Sequence, residues 1–420
     1  MNEKLEGRRQ AEEFEQRRRR TWKMFADRSM SAKAQLFDLL EHICQEFELT
    51  DTQYEIAKRR YEAIGEWLAA STTPFLSAIE VYAHGSIGLL TANKPIKGQE
   101  YDVDLIAFAP AFPIHFAPSG LKRIVGARLR EHGVYGRLLE EKPRCWRLNY
   151  AGEFHLDITP SIRSPYCANG GELVPEKRTD LWKASNPKGY RANFELRAAL
   201  MPRLSVGKVI AADEIRAGTV VDFPALRKRK GVLRRAVQIC KRHRDVFFLE
   251  ERDASRAPIS IIVTTLVARS YEYCVGSFEY DAPFDLLLDV VARMPDFIDE
   301  APFRGVGRSW AIWNETTQGE NFAEKWNVDP ALAAAFFEWH KQISADLAAL
   351  KAGEGLDQLG KMLGRSFGEG PVSAAMDAMT RSVSSARSNG RLSVAPVAGL
   401  TVGAVPARAT SVPPNTFFGR

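Results

Sequence analysis

Two carboxylates set two residues apart in an apolar run give this chain its clearest chemistry. Asp102 and Asp104 lie in Asp102-Val103-Asp104-Leu105-Ile106-Ala107-Phe108, which reads as a strand. Side chains alternate faces along a strand, so both carboxylates point one way while Val103 and Leu105 enter the core. Two like charges that close, on a half-buried element, are costly unless a cation neutralises them. Hard carboxylate oxygens suit Mg²⁺, which keeps several waters and draws its remaining ligands from substrate phosphates. Upstream, Gly85-Ser86 offers backbone and hydroxyl donors where a triphosphate would lie.

A third carboxylate extends the pattern. In Glu153-Phe154-His155-Leu156-Asp157-Ile158-Thr159, Phe154, Leu156 and Ile158 share one strand face and His155 and Asp157 the other. Paired beside the Asp102 strand, Asp157 would complete a triad suited to two divalent ions, one activating a hydroxyl and one holding a triphosphate. An Asp-x-Asp alone is weak evidence, because surface Asp pairs are common. The Gly-Ser turn before it and the strand Asp after it make it specific.

The elements that must position these groups follow from periodicity. Leu36, Leu39, Leu40, Ile43 and Phe47, then Tyr54, Ala57, Tyr61, Ile64 and Leu68, recur at helical spacing, with Thr50 or Asp51 capping the second helix. Ile79–Ala83 and Tyr101–Pro110 read as strands, 119–132 as a helix, and Arg144–Tyr150 with Glu153–Thr159 as a hairpin around Ala151-Gly152. Residues 160–225 are loop-rich, and from Pro224 to about Leu363 the pattern is helical, with Asn321–Trp326 a short structural helix carrying Phe322 and Trp326. Past Gly364 large apolar residues thin out, and a flexible tail is expected.

Composition bounds the reading. The 420 residues carry 45% hydrophobic and 26% charged residues, as an ordinary globular protein does, and a net charge of +6. A pI near 9.0 fits an anionic small substrate without demanding nucleic acid. Five scattered cysteines without a CxxC pair, and no signal-like or membrane-spanning apolar stretch, lead us to expect a reduced, cytoplasmic protein with no zinc site and no membrane partner. The basic run Arg17–Arg20 reads as a solvated end.

The ordered set His84-Gly85-Ser86, Tyr101-Asp102-Val103-Asp104-Leu105, Leu156-Asp157-Ile158-Thr159-Pro160, Asn186-Pro187-Lys188-Gly189-Tyr190, Val237–Asp245 and Glu320–Trp326 resembles the DNA polymerase β-like nucleotidyltransferases. Within them it resembles the cGAS/DncV-like nucleotidyltransferases (CD-NTases, SMODS type) of bacterial CBASS antiphage defence. The resemblance spans roughly residues 30–350. One departure is a longer spacing from Gly-Ser to Asp-x-Asp, through Thr91–Glu100, which would reshape the acceptor side of the pocket.

The resemblance implies an α+β, bilobal protein. A nucleotidyltransferase lobe with a mixed sheet (71–225) would face a helical lobe (226–363), bridged by N-terminal helices (1–70) and followed by a disordered tail (364–420). It implies a synthase that joins NTPs, ATP among them, into a cyclic oligonucleotide that activates a separate effector. Asp102, Asp104 and Asp157 would be catalytic and hold two Mg²⁺ ions, with Mn²⁺ as an alternative. Gly85, Ser86, Lys241 and Ser260 would contact the triphosphate, a lysine supplying a point charge and a helix start free amides. The plainer readings are that Lys241 is one solvated residue on a basic helix and Ser260 an N-cap. His84 and His155 stay open between nucleotide contact and packing, as do Trp182 and Tyr190. The ending Phe417-Phe418-Gly419-Arg420 is similar to termini conjugated by an E1/E2-like partner. Rival functions are a linear nucleotidyltransferase (2′-5′ oligoadenylate or RNA-tailing type) and a catalytically silent nucleotide-binding scaffold. A direct nucleic-acid sensor is not expected.

Overall fold

A computed structural model of the chain describes residues 33, 35–76, 78–96, 100–177, 179–204, 230–249, 253–303, 307–353, 355–395, 399–402 and 410–413. Helix α1 (35–46) ends before Thr50, which caps α2 (Asp51–Ala69). The Gln53 amide donates to the Thr50 hydroxyl at 3.2 Å, and the Thr50 amide donates to the Gln53 side chain at 3.0 Å. This reciprocal box satisfies two donors that a helix start leaves free. Tyr54, Ala57, Tyr61, Ile64 and Leu68 form the buried face of α2, the set the spacing predicts.

The central sheet joins β1 (Glu80–Ala83), β2 (Tyr101–Phe108), β3 (Leu139–Glu141), β4 (Trp146–Tyr150) and β5 (Phe154–Arg163) in the order β1-β2-β5-β4-β3. Between β1 and β2 lies α3 (Gly85–Gly88), one turn built on Gly85-Ser86. Strands β2 and β5 run parallel, which demands a long crossover; α4 (Pro118–Glu131) supplies it, burying Leu121, Val125 and Leu129, and the short α5 (Tyr135–Leu138) follows. Strands β4 and β5 form the expected hairpin with Tyr150 opposite Phe154. Strands β6 (Glu172–Glu176) and β7 (Leu181–Ser185) extend β5, so residues 160–185 are more regular than their prolines suggested.

After α6 (Pro187–Ala198) and the two-residue β8 (Arg203–Leu204), the second core is helical. It contains α7 (Val232–Phe247), α8 (Ser260–Ser277), α9 (Pro283–Ala292) and α10 (Pro330–Ala349), with β9 (Glu279–Tyr280) pairing β8. Leu36, Leu39 and Leu40 of α1 join this core, whereas the α2 face joins the sheet core, so the two N-terminal helices serve different lobes. The basic residues of α7 are not a solvated face. Arg234 and Arg235 are fully buried: Arg234 donates to the Leu89 carbonyl and Glu195, and Arg235 clamps Glu41 and Glu48. Each guanidinium ties α7 to another element, and the buried charge is tolerable because it is paired.

Three expectations for this half need correction. A hairpin of β10 (Asp299–Phe303) and β11 (Gly307–Ala311) interrupts the helical pattern. Asn321–Trp326 is not a helix: Asn321 Oδ1 captures the Ile312 and Ala323 amides at 2.9 Å, leaving only a 3₁₀ turn at Glu324–Asn327 that buries Trp326. The chain past 363 is not all tail. Helix α11 (Leu356–Phe367) continues into α12 (Glu369–Ser388), whose Val372 and Ala375 pack into the helical core beside Leu363 and Phe367. Strands β12 (Leu392–Ala395), β13 (Gly399–Val402) and β14 (Thr410–Ser411) form a small sheet after it. Three buried positions in twenty residues, Val372, Ala375 and Ala386, suffice to hold α12, a signal weaker than the loss of large apolar residues. Phe417–Arg420 and Arg17–Arg20 lie outside the described residues.

Candidate active site

The parallel register of β2 on β5 sets Asp104 directly opposite Asp157 and Asp102 opposite His155. Val103 and Leu105, then Leu156 and Ile158, are fully buried beneath them, so the alternation that builds the core also forces the carboxylates onto the other face. Gly85 closes over this pair. A Cβ there would collide with Asp104 Oδ2 and stand 3.0 Å from its Cγ, and the backbone has φ +60°, a conformation that favours glycine. The His84 amide donates to the Asp104 carbonyl at 2.9 Å, fixing the turn on the strand. Burial pushes the His84 imidazole down to about 4, so it stays neutral near pH 7.

These groups line a cleft of about 1460 Å³ between the lobes. Gly85, Ser86, Asp102 and Asp104 stand on its sheet side; Lys241, Arg244 and Ser260 stand on its helical side. Six of the seven residues singled out for this site thus line one cleft; Asp157 is not among its lining side chains. Lys241 is buried rather than solvated, donates to the Thr91 carbonyl at 3.0 Å, and is pushed by burial down to about 8. Ser260 is the first residue of α8 but not its cap, a position held by Ile259; its hydroxyl accepts from Arg244 at 3.1 Å. Tyr190 lines the cleft with its hydroxyl 2.9 Å from Thr265 Oγ1, whereas Trp182 is packed, donating to the Ile114 carbonyl.

Sequence reasoning missed the partners of the triad. Arg147 on β4 stands opposite Asp157 and donates to it twice, from Nε to Oδ1 at 2.7 Å and from Nη2 to Oδ2 at 2.8 Å. Arg147 Nη2 also reaches Asp102 Oδ1 at 3.2 Å. His155 bridges Glu100 at 2.8 Å and Asp102 at 3.4 Å, so it is a hydrogen-bonded member of the cluster. A two-residue Ala151-Gly152 turn would set Leu156 across from Arg147; the turn in the structure spans three residues, 151–153, and shifts the register by one to Asp157.

Asp102 and Asp104, which line the cleft, offer hard oxygens of the kind a divalent cation takes. Desolvation, with Asp157 and Asp102 alongside, pushes Asp104 up to about 7, and among the described residues no ion pair reaches it. This is a buried negative site short of positive charge, made of hard oxygens. A carboxyl that titrates at about 7 when folded and at 3.8 when unfolded binds more protons in the folded state across that window. The metal-free protein therefore loses stability as pH rises through it. A cation offsets the loss only where Asp104 is ionised. We expect Mn²⁺ to raise the melting temperature more at pH 8 than at pH 6; equal increments at the two pH values would contradict this.

Fold and site together define a polymerase β-like nucleotidyltransferase. Residues 30–197 match the Second Messenger Oligonucleotide or Dinucleotide Synthetase (SMODS) domain. The chain is 29% identical over 390 residues to a c-di-GMP synthase of Roseivirga ehrenbergii, covering 93% of this chain and 98% of that protein. It is 24% identical to the cyclic dinucleotide synthase CdnG of Bradyrhizobium diazoefficiens, over 77% of this chain and 78% of that one. The solved structure of that CdnG with GTP superposes with a TM-score of 0.61 at 20% identity, over 81% of this chain and 97% of that one. CdnC of Escherichia coli MS115-1, solved with a HORMA protein, superposes with a TM-score of 0.56 at 10% identity, over 79% and 96%. Residues 30–197 thus resemble a SMODS domain, and the chain as a whole is similar to CD-NTases that make cyclic dinucleotides. Among the described residues no helix is long and apolar enough to cross a membrane, and all five cysteines are free.

Proposed function

We propose that the chain condenses two GTP molecules into a cyclic dinucleotide in the cleft between its lobes, with ATP the next substrate to be expected. The register that sets Asp104 beside Asp157, with Gly85 fitted over Asp104, carries the reading. The similarity to a c-di-GMP synthase and to CdnG supports guanine, and the cleft exceeds the roughly 300–1,000 Å³ of ordinary ligand pockets, as two nucleotides require.

In this reading Asp102, Asp104 and Asp157 are the catalytic carboxylates and hold Mg²⁺, as two ions, with Mn²⁺ able to replace it. When bound there, the metal activates the attacking hydroxyl and stabilises the charge of the leaving pyrophosphate. Gly85 and Ser86 receive the phosphates nearest the carboxylates. Lys241 and Ser260, across the cleft, take the distal end of the donor triphosphate, Lys241 exchanging the Thr91 carbonyl for a phosphate oxygen. The two lobes hold the acceptor hydroxyl on the α-phosphate, so the protein contributes positioning and charge rather than a nucleophile.

Incubation with each NTP singly and in pairs, with Mg²⁺, phosphatase treatment and mass spectrometry of what survives, tests the base assignment. A resistant product from GTP alone, absent with Asp102→Asn, is expected. A product that forms only when ATP is added would replace the guanine assignment, and phosphatase-sensitive oligomers would favour the linear reading. We further propose a cytoplasmic enzyme whose product activates a separate effector, and whose ending Phe417-Phe418-Gly419-Arg420 enters an E1/E2-like conjugating enzyme. Deleting those four residues should abolish conjugates in cells that hold the partner; unchanged conjugates would end that part of the proposal.

A further inference from the structure

Arg147 offsets part of the negative charge of the carboxylate cluster. The β4 strand alternates buried and half-buried positions, so Arg147 emerges on the same face as the three carboxylates. Its fork takes both oxygens of Asp157 and one of Asp102. Bidentate guanidinium–carboxylate pairs hold geometry tightly, and this pair is mostly buried, at 21% exposure for Arg147 and 16% for Asp157, whereas Asp102 is 54% exposed. Among the described residues no three His, Cys, Asp or Glu side chains stand together as a metal-holding group. The reason is visible in the fork: Asp157 is drawn onto Arg147 and does not line the cleft that Asp102 and Asp104 line. Lys241 does not replace it, because its ammonium donates to the Thr91 carbonyl.

We propose that Arg147 is a resident counter-cation that competes with the divalent metal for Asp102 and Asp157. For Asp102 and Asp157 to hold a divalent ion, Asp102 Oδ1 would have to leave Arg147 Nη2 and Asp157 would have to turn toward the cleft. Arg147 is thus a positioning residue: it holds the Asp102 and Asp157 side chains in place, at the cost of metal affinity. A weakly loaded empty site would then fill only when a nucleotide brings further oxygen ligands. This rests on the metal reading of the carboxylates but not on which bases are joined.

Mn²⁺ titration of the nucleotide-free full chain at pH 8, followed by electron paramagnetic resonance of the free ion, reads the competition without any turnover. Arg147→Met should bind Mn²⁺ about tenfold more tightly than wild type, since a unit charge a few ångströms from the ligands is removed. Arg147→Lys, which keeps the charge and loses the fork, should fall between them. The gain should vanish in Arg147→Met with Asp157→Asn. Equal or weaker binding by a folded Arg147→Met, judged by its melting curve, overturns the proposal. Should that variant fail to fold, Arg147→Lys decides alone: tighter binding than wild type supports the competition, and equal or weaker binding ends it. None of these outcomes depends on the product, so failure here leaves the GTP assignment to its own test.

Discussion

Asp104→Asn should abolish nucleotidyl transfer while making the metal-free protein more stable. The carboxylate is buried next to two others, with no ion pair of its own among the described residues, so its charge is a cost to the fold. Asparagine keeps the shape and removes the repulsion; the melting temperature at pH 8 without metal should rise. The same change removes a hard anionic ligand from where pyrophosphate must leave, and several kcal/mol of transition-state stabilisation go with it. At about 1.4 kcal/mol per factor of ten, the rate should fall on the order of a thousandfold or more. A residue that only packs would show the opposite pairing, lost stability with activity retained. Thermal melts and product formation measured on one preparation distinguish the two.

Gly85→Ala should cost nearly as much activity through geometry alone. The new methyl group would need the space Asp104 Oδ2 occupies, and the φ of +60° adds about 1–2 kcal/mol of backbone strain for any other residue. Either the turn lifts from β2 or the Asp104 side chain rotates away. A displacement near 1 Å at reacting groups costs on the order of a hundredfold. Gly170 is the control: its φ is +72°, but a Cβ there meets nothing within 4 Å. Gly170→Ala should carry a similar stability penalty and leave product formation intact. Equal activity of the two variants would show that the contact between Gly85 and Asp104 does not matter.

The chemistry of this chain was legible where one face of an element is buried and the other is not. Period-two alternation puts Asp102 and Asp104 on one face of their strand and Asp157 on the polar face of its own, and the structure adds that β2 and β5 are parallel neighbours, which brings the three together. Helical spacing chose the buried face of α2 residue by residue, and Thr50 caps it. What stayed hidden depends on partners distant in sequence. Arg234 and Arg235 look like solvent-facing charges until Glu195, Glu41 and Glu48 are brought to them by other helices. Lys241 likewise reads as one basic residue among many, and only the packing of α7 against the Thr91 loop buries it. Asn321 ended a predicted helix by taking two backbone amides with its side chain, a competition that propensity does not express. Helix α12 was passed over because small residues bury little per position, yet Val372 and Ala375 find a core that α11 has already started. The Arg147 fork stayed hidden because the turn holds three residues rather than the two read from the sequence, and that extra residue brings Asp157 across from Arg147.

The stoichiometry of pyrophosphate release tests most directly that this cleft closes a ring. With GTP and Mg²⁺, each nucleotide consumed should release one pyrophosphate, and all the consumed label should end in a phosphatase-resistant product. Asp104→Asn should release none above background. Release of half a pyrophosphate per nucleotide, with the triphosphate end of the product still open to phosphatase, would mean a linear dinucleotide and would contradict the synthase reading.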